Sequence, residues 1–176
     1  VDGTWELIKS YEERYPQIKV TINDCPGISG NFNHAISTCV SEYIFISDQD
    51  DIWAENKRKK VIETFEKTKA DMVIHNGVHI DFSGNPVSDP FFSIYRIGDG
   101  KIKNLLKPRY SGCCMAFTRE MKDKILPIPS NIDAYDHWLG MVSECCGKIA
   151  YCDDVLLYHR LHGNNVTPTS PRSLNV

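Results

Sequence analysis

Three aspartates fall within four positions at the end of a short apolar run: Asp48, Asp50 and Asp51 in YIFISDQDDIWAENK, residues 43–57. Carboxylates gathered at one point repel one another unless a cation neutralises them. Asp48 and Asp50 are two apart, so on an extended chain both side chains leave the same side. A buried parallel strand that delivers them into the crevice beyond its carboxyl end would hold magnesium or manganese. These hard ions take one or two carboxylates and complete their shell with water and phosphate oxygens. Asp51 opens the turn, where it either joins the cluster or caps the next helix. One acid at such a turn reads as a helix cap; three at this spacing read as a metal–phosphate site. The residues alone leave phosphatases, nucleotidyltransferases and sugar-nucleotide transferases open.

A second acid with chemical potential is Asp136 in AYDHWLGM, close to the start of a helix and beside His137 and Trp138. There it is either a carboxylate held by the helix dipole or a general base for an attacking hydroxyl. In YHRLHGNN, Arg160 and His162 share one side of an extended chain and His159 takes the other. Imidazole completes metal sites and arginine holds phosphate, although an exposed polar strand end has the same composition. Gly112 in SGCCMAF permits a close backbone approach to a ligand, or simply starts a core strand. The glycines of PGISGNF do not match a phosphate-cradling motif.

These residues are set in an alternation of helices and strands. Trp5, Ile8, Tyr11 and Tyr15 recur at helical spacing, and residues 18–23 alternate as a short strand. Asn31 is placed to cap a helix carrying Phe32, Ala35, Ile36 and Cys39 on one side. YIFIS reads as a strand covered on both faces, as in parallel α/β sheets. A charged helix over 54–70 buries Val61, Ile62 and Phe65, and residues 71–81 form a strand or two. Residues 86–109 carry no period and read as a long connection of the kind that makes a lid. A strand at 110–118, a short helix, a helix over 133–147 and a strand region over 148–162 follow. The tail from Asn164, rich in proline, serine and threonine, reads as loose.

The chain has 176 residues and a formal net charge of -3, which suits one domain and argues against a nucleic-acid binder that relies on a basic surface. Its seven cysteines, odd in number and including two vicinal pairs, fit reduced thiols in a cytosolic setting better than a disulfide framework. The absence of Cys-x-x-Cys spacing makes a zinc site the minor alternative.

Taken in order, VDGTWELIKSY, GISGNFNHAI, YIFISDQDDIWAENK, SGCCMAF, YDHWLG and YHRLHGNNV resemble family-2 glycosyltransferases. The resemblance is closest to the rhamnosyltransferase-like branch of bacterial cell-surface polysaccharide synthesis. It implies an α/β fold of GT-A type, a mixed and mainly parallel sheet flanked by helices. The catalytic domain is expected over residues 1–163, with 164–176 as tail. The implied reaction is inverting, metal-dependent transfer of a sugar from a nucleotide donor, UDP- or dTDP-linked, to a hydroxyl of a glycan or lipid-linked acceptor. Carried over by position, Asp136 is the catalytic base, and Asp50 and His162 are the ligands of Mn2+ or Mg2+. Asp48, Asp51, Asn31 and Arg160 lie on the donor side; Gly112, Cys113 and Trp138 lie on the acceptor side. A cytoplasmic protein is implied, associating peripherally with the inner face of the membrane. Family members begin with a strand–helix–strand ending in an acidic loop, whereas this sequence opens on what resembles the tail of that loop. The expectation is therefore a chain lacking that unit, binding donor poorly and turning over slowly. A degenerate, non-catalytic transferase domain is the competing reading.

Overall fold

A computed structural model of the chain describes residues 2–25, 27–98, 100–106 and 109–161. His162 and the expected tail lie outside the described residues. At the centre is β3 (Met72–Ile80), buried along its whole length. It is a single strand although it carries Asn76-Gly77, a pair that favours turns; there the ladder to β5 shifts its register instead of breaking. Five strands line up as β1-β4-β3-β5-β2, where β1 is Tyr43–Phe45, β2 Ile52–Trp53, β4 Met115–Thr118 and β5 Ile149–Arg160.

The sheet is mixed, as expected, but its balance differs from the mainly parallel reading. Among the described residues only β3 and β5 run parallel, in the longest ladder, while β1–β4, β3–β4 and β2–β5 are antiparallel. β1 corrects a second expectation. It stands at one edge rather than inside a parallel sheet, with β4 as its neighbour. Its run is apolar because both faces are nonetheless covered: Ile44 joins the core, and Tyr43 and Phe45 lie against the Phe65 and Trp53 rings.

Two helical layers enclose the sheet. On one face, α3 (Lys57–Thr68) sets Val61 and Phe65 against Val73, Ala116, Ala150 and Leu156. On the other, α2 (Ile28–Thr38), α6 (Arg119–Ile125) and α7 (Tyr135–Cys146) bring Ile36, Met121, Ile125 and Leu139 onto Met72, Ile74, Met115 and Phe117. Alternation along β3 divides the two sets, Met72 and Ile74 against Val73. Thr118 caps α6, its hydroxyl accepting from the Met121 N–H at 3.2 Å.

Other expectations change. Residues 18–23 form no strand, and α2 begins at Ile28 behind Gly27, which leaves Asn31 inside the helix rather than at its cap. Asp51 does not cap α3 either, since β2 intervenes and the helix starts at Lys57. The 86–109 connection contains two short helices, α4 (Phe91–Tyr95) and α5 (Lys101–Leu106). The helical spacing from Trp5 becomes α1 (Thr4–Arg14), which ends before Tyr15 and buries none of its residues. Among the described residues no helix is long and apolar enough to cross a membrane.

Candidate active site

The acid turn joins β1 to β2 and therefore bridges opposite edges of the sheet. Asp48 and Asp50 are half-buried on it. Loss of hydration, followed by the charges of Asp51 and Asp50, pushes the Asp48 carboxyl above the ordinary range. Asp136 adds to that effect, so the start of α7 faces the same space as the turn.

Asp136 is the second residue of α7, and its Oδ1 accepts from the His137 N–H at 2.9 Å. Burial raises its pKa; His137 and backbone donors, Gly112 among them, work in the opposite direction. Gly112 opens a buried 3-10 turn (Gly112–Cys114) leading into β4. A Cβ there would overlap the Tyr135 hydroxyl and meet its ring carbons at 2.7 and 2.9 Å. Glycine is thus required for Tyr135 to lie against this turn. Tyr135 also stacks on Phe32 of α2 with ring centroids 3.7 Å apart. Its hydroxyl is kept protonated by burial and then by the charges of Asp48 and Asp136. Tyr135 thus sits among the acid turn, α7, α2 and the Gly112 turn.

Asp51, expected on the donor side, turns its side chain inward. Its side chain is 0% exposed, and Oδ1 lies 2.8 Å from His159 Nδ1. The backbone explains why. Ile52 pairs with Tyr158 and Trp53 with Leu157, so Asp51 stands opposite His159 one step further along the antiparallel register. His159 in turn faces His79 across the β3–β5 ladder. The bond to Asp51, then a contact with the Cys113 thiol, holds the His159 pKa up at about 10. Burial draws His79 down to about 4, and its Nε2 lies 2.9 Å from the Tyr95 hydroxyl.

Cys113, expected beside the acceptor, is 3% exposed and turns its thiol inward toward Asp51 and His159. Arg160 donates to the Phe82 carbonyl at 3.0 Å, engaging the turn after β3. Asn31 is exposed on α2 and accepts from Asn23 Nδ2 at 2.8 Å. Trp138 donates its indole N–H to the Ile125 carbonyl at 2.8 Å. With Ile132, Ala134, Met141, Asn131 and His137 it lines a groove of about 450 Å³ that Asp136 does not line.

Lys57 was not singled out by the sequence reading. Its ammonium is wholly buried, 4.0 Å above the Trp53 ring, and donates to the Cys113 carbonyl at 3.1 Å. Desolvation draws its pKa down to about 8. The spacing held a signal, since Lys57, Val61 and Phe65 recur every four residues on the buried face of α3. Tyr135 carries no comparable mark in the sequence.

A mixed sheet enclosed by helices, with an acid turn meeting a helix start that bears a further carboxylate, defines a GT-A-type domain. The profile of glycosyl transferase family 2 matches residues 1–126, and the chain belongs to that family. The match includes the acid turn and the Gly112 turn; Asp136 and His159 lie beyond it. An uncharacterised glycosyltransferase of Nostoc sp. (strain PCC 7120), alr2836, is 24% identical over 174 residues, covering 93% of this chain and 53% of that protein. Mycobacterium tuberculosis Rv1520, likewise uncharacterised, is 21% identical over 168 residues, covering 94% and 48%. Among solved structures, S. aureus TarS 1-349 in complex with UDP-GlcNAc superposes with a TM-score of 0.68 at 16% identity, covering 94% of this chain and 48% of that one. The same protein in complex with UDP gives 0.70, covering 92% and 48%. The chain spans about half the length of the relatives it matches.

Proposed function

We propose that this chain carries the catalytic carboxylates of an inverting, metal-dependent glycosyltransferase. Its donor is a sugar linked to a nucleoside diphosphate, and its acceptor is a hydroxyl of a glycan or lipid-linked glycan. The observation carrying this reading is the convergence of Asp48 and Asp136 on one space, each with a raised pKa, around Tyr135.

The donor set suits a hard divalent cation. Asp48 and Asp50 stand on one turn, and the crowding of carboxylates that raises Asp48 is what a dication relieves. Asp50 and Asp48, with His162 as the expected further ligand, would hold magnesium or manganese, which would neutralise charge on the leaving diphosphate. Asp136 takes the proton of the acceptor hydroxyl, which attacks the anomeric carbon opposite the leaving group. The new glycosidic bond forms as the bond to the diphosphate oxygen breaks, and the proton stays on Asp136 until solvent removes it. The Gly112 backbone and the His137 N–H orient the ionised carboxylate. TarS has been solved with UDP and UDP-GlcNAc, which favours a uridine donor; the rhamnosyltransferase-like motifs favour dTDP-sugars as the second panel.

Calorimetric titration with manganese and UDP or dTDP, beside an Asp50→Ala variant, tests the donor site. Metal-dependent binding by the parent, lost in the variant, is expected. A metal-independent heat in both, or phosphate release from a nucleotide sugar without acceptor, would remove the transferase reading.

A further inference from the structure

Beneath the acid turn lies a second cluster that the transfer chemistry does not use. One ligand atom each from Asp51, Cys113 and His159 lie within 4.8 Å of one another. They come from three distant parts of the chain: the acid turn, the Gly112 turn and the end of β5. The Asp51 side chain is 0% exposed. One of its oxygens bonds His159, while Oδ2 is buried without a hydrogen-bond partner. A half-satisfied carboxylate in the interior is costly, so its second oxygen calls for a cation or donor.

We infer that Asp51, Cys113 and His159 form a binding site for a thiophilic divalent ion of the zinc class, separate from the Asp48–Asp50 site. The donor set distinguishes the two. Thiolate, imidazole and carboxylate together suit zinc, whereas oxygen-only shells suit magnesium and manganese. Zinc takes four ligands, which leaves one position for water or the substrate side. The three ligand atoms lie within 4.8 Å of one another. A sulfur and a nitrogen or oxygen held tetrahedrally on one zinc stand roughly 3.5 Å apart, so a side-chain shift of up to about an ångström brings Cys113 onto the ion. Zinc bonds to N and O near 2.0–2.1 Å at a tetrahedral angle place those atoms roughly 3.3 Å apart. The Asp51–His159 pair, now at 2.8 Å, opens by a few tenths of an ångström, about the latitude of a side-chain adjustment. Coordination displaces the Cys113 thiol proton and the proton shared by His159 and Asp51, both to solvent. Thiolate and carboxylate then match the charge of the ion. Lys57 remains hydrogen-bonded to the Cys113 carbonyl. Bound there, the ion fastens the acid turn to β5 and to the Gly112 turn.

The test uses the full chain with the exposed Cys25, Cys145 and Cys146 replaced by serine, stripped with chelator and dialysed against zinc alone. One zinc per chain is expected by elemental analysis, and cobalt in its place is expected to give a thiolate charge-transfer absorption band. Cys113→Ser abolishes that band, and both Cys113→Ser and His159→Gln weaken zinc at least tenfold. Asp50→Ala keeps zinc in full while losing manganese-dependent UDP binding, so the two sites fail separately. Substoichiometric zinc, or unchanged affinity in Cys113→Ser, overturns the inference. Should Cys113→Ser not fold, X-ray absorption at the zinc of the parent decides. One sulfur among nitrogen and oxygen neighbours supports the site; none, or two or more, overturns it.

Discussion

Asp136 is where the proposed chemistry is most exposed to a single substitution. Asp136→Asn keeps shape and hydrogen-bonding capacity but removes the base. Transfer should fall by roughly a hundredfold to ten-thousandfold, the usual worth of general-base catalysis, while metal-dependent donor binding stays. A product assay beside calorimetry separates the two effects; parallel loss of both would give Asp136 a structural role instead. The pH profile follows from the direction of its shift. A base works only when ionised, and burial raises this carboxyl above the ordinary aspartate value. Activity should therefore fall as pH drops, along an acid limb displaced upward from about pH 4. Legibility at this scale was uneven. Spacing drew attention to Asp48 and Asp50 as a pair, although Asp50 lies in a turn where strand alternation does not hold. It could not reveal that Asp51 meets His159, 108 positions away, because that pairing depends on β2 joining β5.

Among the elements, the contact of the Gly112 turn with α7 is the joint that aims the base. Gly112→Ala forces its Cβ into Tyr135, the neighbour of Asp136. The expected outcome is a larger loss in transfer rate than in thermal stability. Adding Tyr135→Phe, which removes the overlapped hydroxyl, should recover part of that rate. Equal failure of single and double variants would place the strain elsewhere. Helical periods were readable in α1, α3 and α7 because each needs only its own sequence to define a face. Strands were less so. Ile18, Val20 and Ile22 alternate as a strand should, yet no neighbouring strand pairs with them among the described residues. Alternation specifies a face and not a partner. The apolar run at β1 correctly signalled cover on both faces, but a run carries no information on how many strands lie beside it.

For the molecule as a whole, the half-buried His159 and the buried Lys57 oppose each other in the dependence of stability on pH. His159 has a folded pKa near 10 against an ordinary 6.5. Its contribution is complete below pH 6.5 and is lost as pH rises through about 10. Lys57 has a folded pKa near 8 against an ordinary 10.5. Its penalty is present below pH 8 and is relieved as pH rises toward 10.5. Urea unfolding of the metal-stripped chain should show these trends partly cancelling between pH 8 and 10. Lys57→Met should leave a stability that declines with pH, and His159→Gln one that climbs. Identical slopes in the two variants would mean that neither group titrates differently on unfolding.

Lys57 also makes the molecule its own sensor of local opening. Among the described lysines with described side chains it alone is buried, roofed by Trp53 and closed below by the Cys113 carbonyl. An amine-acylating reagent should mark the surface lysines within its first exposure and reach Lys57 only when the start of α3 lifts from the Gly112 turn. The rate of its modification, followed by peptide mass, then times how often the floor of the acid turn comes apart. A ligand that fastens that floor should lengthen the interval.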